Sequence, residues 1–559
     1  MGKKISIKRI RLIITIIHSL LTIAWHGKVF KDVGLNPSGT IPLNRVITHK
    51  SETTLTYIMT ELIALLLVFL FWKLFFYIIE NFKKSYIVFI SFFFIGLIFL
   101  ALCWPYVFAY SIDNLVTYSC AVRLTPDYWH CAYSSYIYGA CLLFFPVDFM
   151  ILGIQWLFFI FMIAYTFYRA EQVTPKLKYI TLAIFLLPSF LVIMRDSYRI
   201  FQYLIVALIY AAIVLFDIIE GRQRTFKETI LIAALGAFLA VWRSEGIIWA
   251  TAWYVIYILC TSAKEIRSKI CKLLIFAVLF LLISIPQEIG MKTYYGKDYQ
   301  IVNALTKLRT LLNTQEVNLQ YEGAEKDLEA IDAVIPHQLI AEYGLASYLR
   351  YNSQVKGYSD INQSGVPADI TKDFLKAYYS IALHNPKIYF RTLVNTITVS
   401  FAGEYVFPNP YYAGEPSDIP PYKYDAWDIG RNDLYGNYHT YVWNELVSKT
   451  KVGETSIEFQ SKYNDLLTGS RRLLYVFIAL CLINLWLFIS GIFKFVQRKD
   501  FASFSFGLFG IVLLAEYAAL TIVVPAYASS YYLTTNYLSL ILAYAALIKR
   551  FKLKTEKTA

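Results

Sequence analysis

The sequence predicts an all-α polytopic membrane protein of about twelve transmembrane helices, with a mostly helical extracytoplasmic domain inserted before the last three spans. Three observations predict it. Hydrophobic residues make up 57% of the 559 positions and charged residues only 16%, with a mean hydropathy of +0.50, far from the averages of soluble domains. Apolar runs of crossing length recur along the chain. The Lys and Arg residues gather in short clusters between those runs, so the net charge of +13 sets orientation in a membrane rather than binding to nucleic acid.

A hydrocarbon core of ~30 Å takes roughly 20 helical residues per crossing. Spans are expected near residues 10–26, 55–79, 86–109, 140–166, 178–194, 198–216, 228–241, 247–261, 272–286, 472–494, 503–524 and 532–548. "KKISIKRIR" precedes the first and no small-residue cleavage site follows it, which predicts an anchored, uncleaved N-terminus. With that terminus cytoplasmic, the inside loops become "ENFKKS", "YRAEQVTPKLK", "EGRQRTFK", "SAKEIRSKICK", "FVQRKD" and the tail "KRFKLKTEK", all basic. The opposite loops are longer or poorer in Lys and Arg, so both termini are expected in the cytoplasm. The division that follows is 1–85 (N-terminal spans and an outer loop), 86–286 (a transmembrane core with outer loops), 287–472 (an extracytoplasmic domain) and 473–559 (C-terminal spans and a basic tail).

Within 287–472, Phe374, Tyr378 and Ile381 recur at helical spacing, and Asn385 with Pro386 has the form of an N-cap and first-turn proline opening another helix. The following "VFPNPYYAGEPSDIPPYKYDAW" is turn-rich. Its aromatics Tyr411, Tyr412, Tyr422, Tyr424 and Trp427, with Tyr435 and Tyr438 beyond, either stack on a glycan or form an interfacial belt. The seven cysteines form no metal-type cluster. Cys120 and Cys131 share one outer loop, either as a disulfide or as two thiols.

Polar groups that a membrane protein ordinarily avoids mark the candidate site, because a carboxylate at or within the bilayer requires a partner, a water-filled cavity or a task. The loop "YSIDNLVTYSCAVRLTPDYWHCAYSSYIYG" interrupts two apolar stretches with Asp113, Arg123, Asp127 and His130. Asp196 lies in the tight turn of "LVIMRDSYRIF", flanked by Arg195 and Arg199. Arg243 and Glu245 interrupt the apolar run "AVWRSEGIIW", and Arg471 and Arg472 stand just before the tenth span. Each has a structural alternative: Asp113 and Asp196 as helix caps, Arg243 with Glu245 as an ion pair at a helix break, Arg471 and Arg472 snorkelling to headgroups, and His130 packed in its loop. All four sites are expected on one face, and together they place carboxylates beside guanidinium groups, a set suited to a phosphate leaving group. The acids Glu61, Asp148 and Glu516 lie within apolar runs and suit a proton or substrate pathway instead.

These features resemble the GT-C superfamily of polytopic membrane glycosyltransferases, particularly its bacterial cell-envelope branch. The similarity rests on Asp113 with "DYWHCAYSSYIYG", on "FPVDFMILGIQWLFFIFMIAY", on "MRDSYRIFQYLIVALIY", on "WRSEGIIW" and on the helix pair "DFLKAYYSIALHNPKIYFRTLV", from about residue 86 to the C-terminus. Two departures stand out: additional spans precede the catalytic loop, and "YASSYYLTTNYL" has Ser530 where such families often carry Arg before Tyr. The resemblance implies sugar transfer from a polyprenyl-phosphate donor to a glycan or lipid acceptor on the outer face of the bacterial cytoplasmic membrane, in polysaccharide biosynthesis. It further implies Asp113 as general base with inversion at the anomeric carbon, and Asp196 positioning the acceptor or, with Asp113, holding Mg²⁺ or Mn²⁺. Arg243, with Arg195 or Arg199, would stabilise the departing phosphate; Glu245, His130, Arg471 and Arg472 would complete the substrate contacts. Alternatives of related layout are a polymerase of lipid-linked glycans and a transporter or flippase.

Overall fold

The computed structural model describes residues 7–29, 54–77, most of 117–146, 149–177, 199–261, 266–294, 298–343, 366–402, 471–523 and 529–558, with isolated positions between them. Among the described residues the chain is helical and has no strand. Seven helices among the described residues are long and apolar enough to cross a membrane, which makes this a helical membrane protein. They are α2 (Thr54–Tyr77), α4 (Phe149–Val173), α5 (Arg199–Glu220), α8 (Ile266–Tyr294), α14 (Arg471–Arg498), α15 (Phe501–Val523) and α16 (Ser529–Thr558). Around them stand α1 (Ile7–Val29), α3 (Ala132–Phe144), α6 (Phe226–Trp242) and α7 (Gly246–Thr261).

Twelve crossings are thus not all accounted for. The expected spans at 86–109 and 178–194 lie outside the described residues except for isolated positions. Those at 228–241 and 247–261 become the short helices α6 and α7, of 17 and 16 residues. The span expected at 140–166 is divided, because α3 ends at Phe144 and α4 starts at Phe149. The span at 272–286 is longer than expected: α8 continues through Pro286 to Tyr294.

Helix α5 is the centre of the bundle. Tyr203, Leu204, Ala207, Tyr210, Ala211, Val214 and Leu215 are fully buried, and α5 is contacted by α4, α6, α7 and α16. A helix apolar on every side needs either protein or lipid around it; α5 finds protein. By contrast α8 and α14 expose Leu274, Leu281, Leu282, Ile289, Tyr475, Leu482 and Trp486, apolar surface suited to lipid.

Two devices turn the chain between α5 and α6. Gly221 closes α5 in the left-handed region (φ 64°), where a side chain would be strained. The amides of Gly221 and Arg222 donate to Ile218 O and Asp217 O, respectively, satisfying carbonyls the helix leaves open. Then Thr225 and Glu228 cap α6 reciprocally: Thr225 Oγ1 accepts from the Glu228 amide, and Glu228 Oε2 from the Thr225 amide.

A second set of helices, α9 (Asp298–Asn313), α10 (Ala324–Asp332), α11 (His337–Tyr343), α12 (Ala368–His384) and α13 (Pro386–Ala402), has its own core. Ile301, Leu305, Leu308, Ile331 and Ile340 pack there with Phe374, Tyr378 and Ile381, the three residues whose spacing predicts α12. Pro386 opens α13 as expected, but Asn385 does not cap it with its side chain. Its Oδ1 accepts from the Asn318 amide at 2.6 Å, and its Nδ2 donates to Asn318 O and Ile381 O, so it joins a distant loop to the α12–α13 corner. Helices α9 and α13 also touch α15, and α13 touches α14.

Candidate functional site

The site begins where α6 stops. Arg243 leaves helical geometry (φ −140°, ψ 143°), and the amides of Gly246 and Ile247 then turn back to Arg243 O and Ser244 O to start α7. Gly246 is required by the close approach of α5 and α6: a Cβ there would run into Leu239 O and the Tyr203 hydroxyl. That hydroxyl accepts from Trp249 Nε1 at 3.1 Å and donates to Leu239 O at 3.3 Å, tying the three helices beneath the break.

Arg243 Nε donates to Glu245 Oε1, and its guanidinium lies over the rings of Tyr203 and Tyr531, 5.8 and 5.7 Å from their centroids. Two aromatic faces and one carboxylate therefore hold the cation. The expected ion pair at a helix break is present, and Glu245 itself is buried.

The polar loop after Asp113 reaches this same end. Trp242 Nε1 donates to Ser134 Oγ at 3.0 Å, and the Cys131 thiol faces Val241 O at 3.7 Å. Cys120 and Cys131 are thus thiols, not a disulfide. Within the loop, buried Asp127 accepts from Thr117 Oγ1 at 2.6 Å and from the His130 amide at 3.2 Å. His130 Nδ1 lies 2.9 Å from Asp127 Oδ2, so a carboxylate fixes the imidazole through one nitrogen. Gln287 of α8 clasps the loop from outside, donating to Tyr128 O at 2.7 Å and accepting from the Ala132 amide at 2.8 Å.

Beside the break opens a cavity of about 350 Å³ between the bundle and the second set of helices. Its polar wall is Ser244, Glu245, Gln300, Asn303, Tyr378 and Glu516; its apolar wall includes Ile248, Leu375 and Leu520. Glu516, from the middle of α15, is 1% exposed, and its Oε2 is buried with no hydrogen-bond partner among the described residues. One turn beyond Asn303 and Ala304 on α9, Lys307 is fully buried, and burial lowers its ammonium pKa to about 7.

The opposite end of α5 carries a second buried charge cluster. Asp217 accepts from Arg169 Nη2 (3.2 Å), Arg224 Nε (2.8 Å) and Nη2 (2.9 Å), and the Tyr257 hydroxyl (3.1 Å). Arg169 also pairs with Glu220, and Arg224 with Glu228. Lys552 of α16 donates to Ile219 O nearby.

Of the residues singled out by sequence, Arg243, Glu245 and His130 are at the end of the bundle where α6 breaks. Asp113, Asp196 and Arg195 lie outside the described residues, as do Asp148 and the aromatic run from Tyr411 to Tyr438. Arg199 and Arg471 are placed as the first residues of α5 and α14, and Arg472 is exposed in the first turn of α14. Glu61 on α2 accepts from Thr22 at 3.2 Å and faces His26 at 3.8 Å, away from the cavity. Sequence reasoning passed over Asp127 as the partner of His130, although its i, i+3 spacing is a visible signal. It also did not join Glu516 to Glu245. Among the described residues no group of three His, Cys, Asp or Glu side chains is arranged to hold a metal; the two aspartates expected to hold Mg²⁺ or Mn²⁺ lie outside those residues. No family model, curated protein or solved structure matches the chain.

Proposed function

We propose that this membrane protein is a glycosyltransferase that moves a sugar from a polyprenyl-phosphate donor to a glycan or lipid acceptor at the membrane surface. The observation that carries the reading is the cavity: acid, amide and tyrosine groups face an apolar wall at one end of an apolar helix bundle. Polar groups of those types suit a polyhydroxyl ligand, and lipid-exposed helices alongside suit a lipid-linked one. Arg243, fixed between two rings next to the cavity residue Glu245, is a donor suited to a departing phosphate.

On this reading the acceptor hydroxyl attacks the anomeric carbon as the carbon–oxygen bond to the phosphate breaks. The phosphate leaves with the electron pair, and Asp113 takes the hydroxyl proton. Asp196 positions the acceptor. His130, oriented by Asp127, contacts the donor or the acceptor. The placement on the outer face of a bacterial cytoplasmic membrane belongs to the same proposal and follows the distribution of Lys and Arg between loops.

Transfer of a radiolabelled sugar from polyprenyl-phosphate donors by the purified protein tests it, with Asp113→Asn, Asp196→Asn and Arg243→Gln beside the wild type. Turnover lost in both aspartate variants supports the assignment. Unchanged turnover removes those carboxylates from the chemistry, and a folded wild type inactive with every donor rejects the transferase. One observation favours a second reading, a transporter: Glu516 is buried within a membrane helix, with one carboxylate oxygen unsatisfied among the described residues. Solute uptake by proteoliposomes that is lost in Glu516→Gln, without any transfer activity, would select it.

A further inference from the structure

We propose that the cavity beside the α6–α7 break is a binding site for an amine-bearing, sugar-sized ligand whose ammonium group pairs with Glu516. The charges at the site give the first reason. Two carboxylates, Glu245 and Glu516, line the cavity and no described Lys or Arg does. The two acids lie close enough to act on each other electrostatically, yet the carboxylate that Arg243 pairs with is Glu245. Glu516 therefore has no described cation against it, and a ligand can supply one.

The second reason is the state of Glu516 itself. It is 1% exposed, lines the cavity, and has a buried Oε2 that no described group satisfies. A buried acceptor without a donor is costly, and in a membrane helix more so. A ligand that brings an N–H donor carrying positive charge removes that cost.

The remaining walls fit such a ligand. Tyr378 and Tyr379 are among the lining residues, and tyrosine is a side chain that attracts cations and stacks on sugar rings. Asn303 adds an amide suited to hydroxyl groups. At about 350 Å³ the volume sits at the lower end of small-molecule sites, roughly 300–1,000 Å³, and is far larger than a bare ion needs. This inference concerns binding and holds whether or not the protein transfers sugars.

The test measures binding, not turnover, so that its outcome is separate from that of the transferase assay. D-Glucosamine and D-glucose are titrated against the full-length protein in lipid nanodiscs, below the pKa of the amine, for wild type, Glu516→Gln and Ala519→Phe. Glucosamine is expected to bind at least about tenfold more tightly than glucose, the scale of one charge-assisted hydrogen bond. Glu516→Gln should erase that preference and leave glucose affinity unchanged. Ala519→Phe, which fills the cavity without altering its charge, should abolish binding of both sugars and decides the location even where Glu516→Gln fails to fold. Equal affinities in the wild type, no glucosamine binding, a preference that survives Glu516→Gln, or binding unaffected by Ala519→Phe would each overturn the proposal.

Discussion

Two buried charge clusters sit at opposite ends of α5, and they differ in how completely they are paired. Around Asp217, three hydrogen bonds from two arginines and one from Tyr257 meet a single carboxylate, and both arginines have a second acid. Around Arg243, one cation meets Glu245 while a further carboxylate, Glu516, faces a cavity with an oxygen that no described group satisfies. The same bundle therefore contains a saturated network and an unsaturated one. A saturated network fixes helices; an unsaturated one has binding capacity left for something else.

Substitutions at the two ends test that contrast. The largest effect is expected at the saturated end: Asp217→Ala removes the carboxylate shared by buried Arg169 and half-buried Arg224, leaves the Tyr257 hydroxyl without its acceptor, and should cost about 3 kcal/mol of stability, read as a fall in Tm of the purified protein. An equally stable variant would break the comparison. Next, a double-mutant cycle of Arg243→Gln and Glu245→Gln should give a coupling of about 1–3 kcal/mol, each single change being worse than the pair. Independent effects would mean that Arg243 is held by Tyr203 and Tyr531 rather than by its carboxylate.

A pH effect of intermediate size is expected from Lys307. Its folded pKa, about 7, lies below its ordinary 10.5, so between those values the unfolded chain binds more protons than the folded one. Stability should then rise with pH across that window and level off on either side. Lys307→Met should flatten the rise in thermal scans; a slope that persists would assign it to other groups. The smallest stability effect belongs to Glu516→Gln, within roughly 1 kcal/mol of wild type, since the buried oxygen facing the cavity has no described bond to lose. A large loss of Tm there would show that Glu516 is structural and bring the two ends into line.

The membrane class and several span boundaries were legible because they depend on local composition. Residues 503–524 and 532–548 are expected as spans, and α15 and α16 cover nearly all of them. The interruption at Arg243 to Glu245 was legible for the same reason, since charge within an apolar run cannot stay in an uninterrupted membrane helix cheaply. Partnerships across the fold were not. Glu516 and Glu245 come from helices far apart in sequence, and Gln300 and Asn303 reach the cavity only because α9 lies against α15. Asn385 misled for a related reason: its place before Pro386 has the form of a cap, but the tertiary partner Asn318 takes its side chain. The division of 140–166 into α3 and α4 had a visible signal that was passed over, a proline and an acid, Pro146 and Asp148, inside the apolar run.

The short lengths of α6 and α7 bear on the membrane itself. At ~1.5 Å per residue their 17 and 16 residues reach only about 25 Å, whereas α8 and α14, of 29 and 28 residues, exceed about 40 Å. Against a hydrocarbon layer of ~30 Å, the short pair falls short while the longer α8 packs against α6, so a dent in the layer is expected at the short pair. Lipids next to that dent must thin to meet it, so the protein's function should depend on acyl-chain length, weakening as the bilayer thickens.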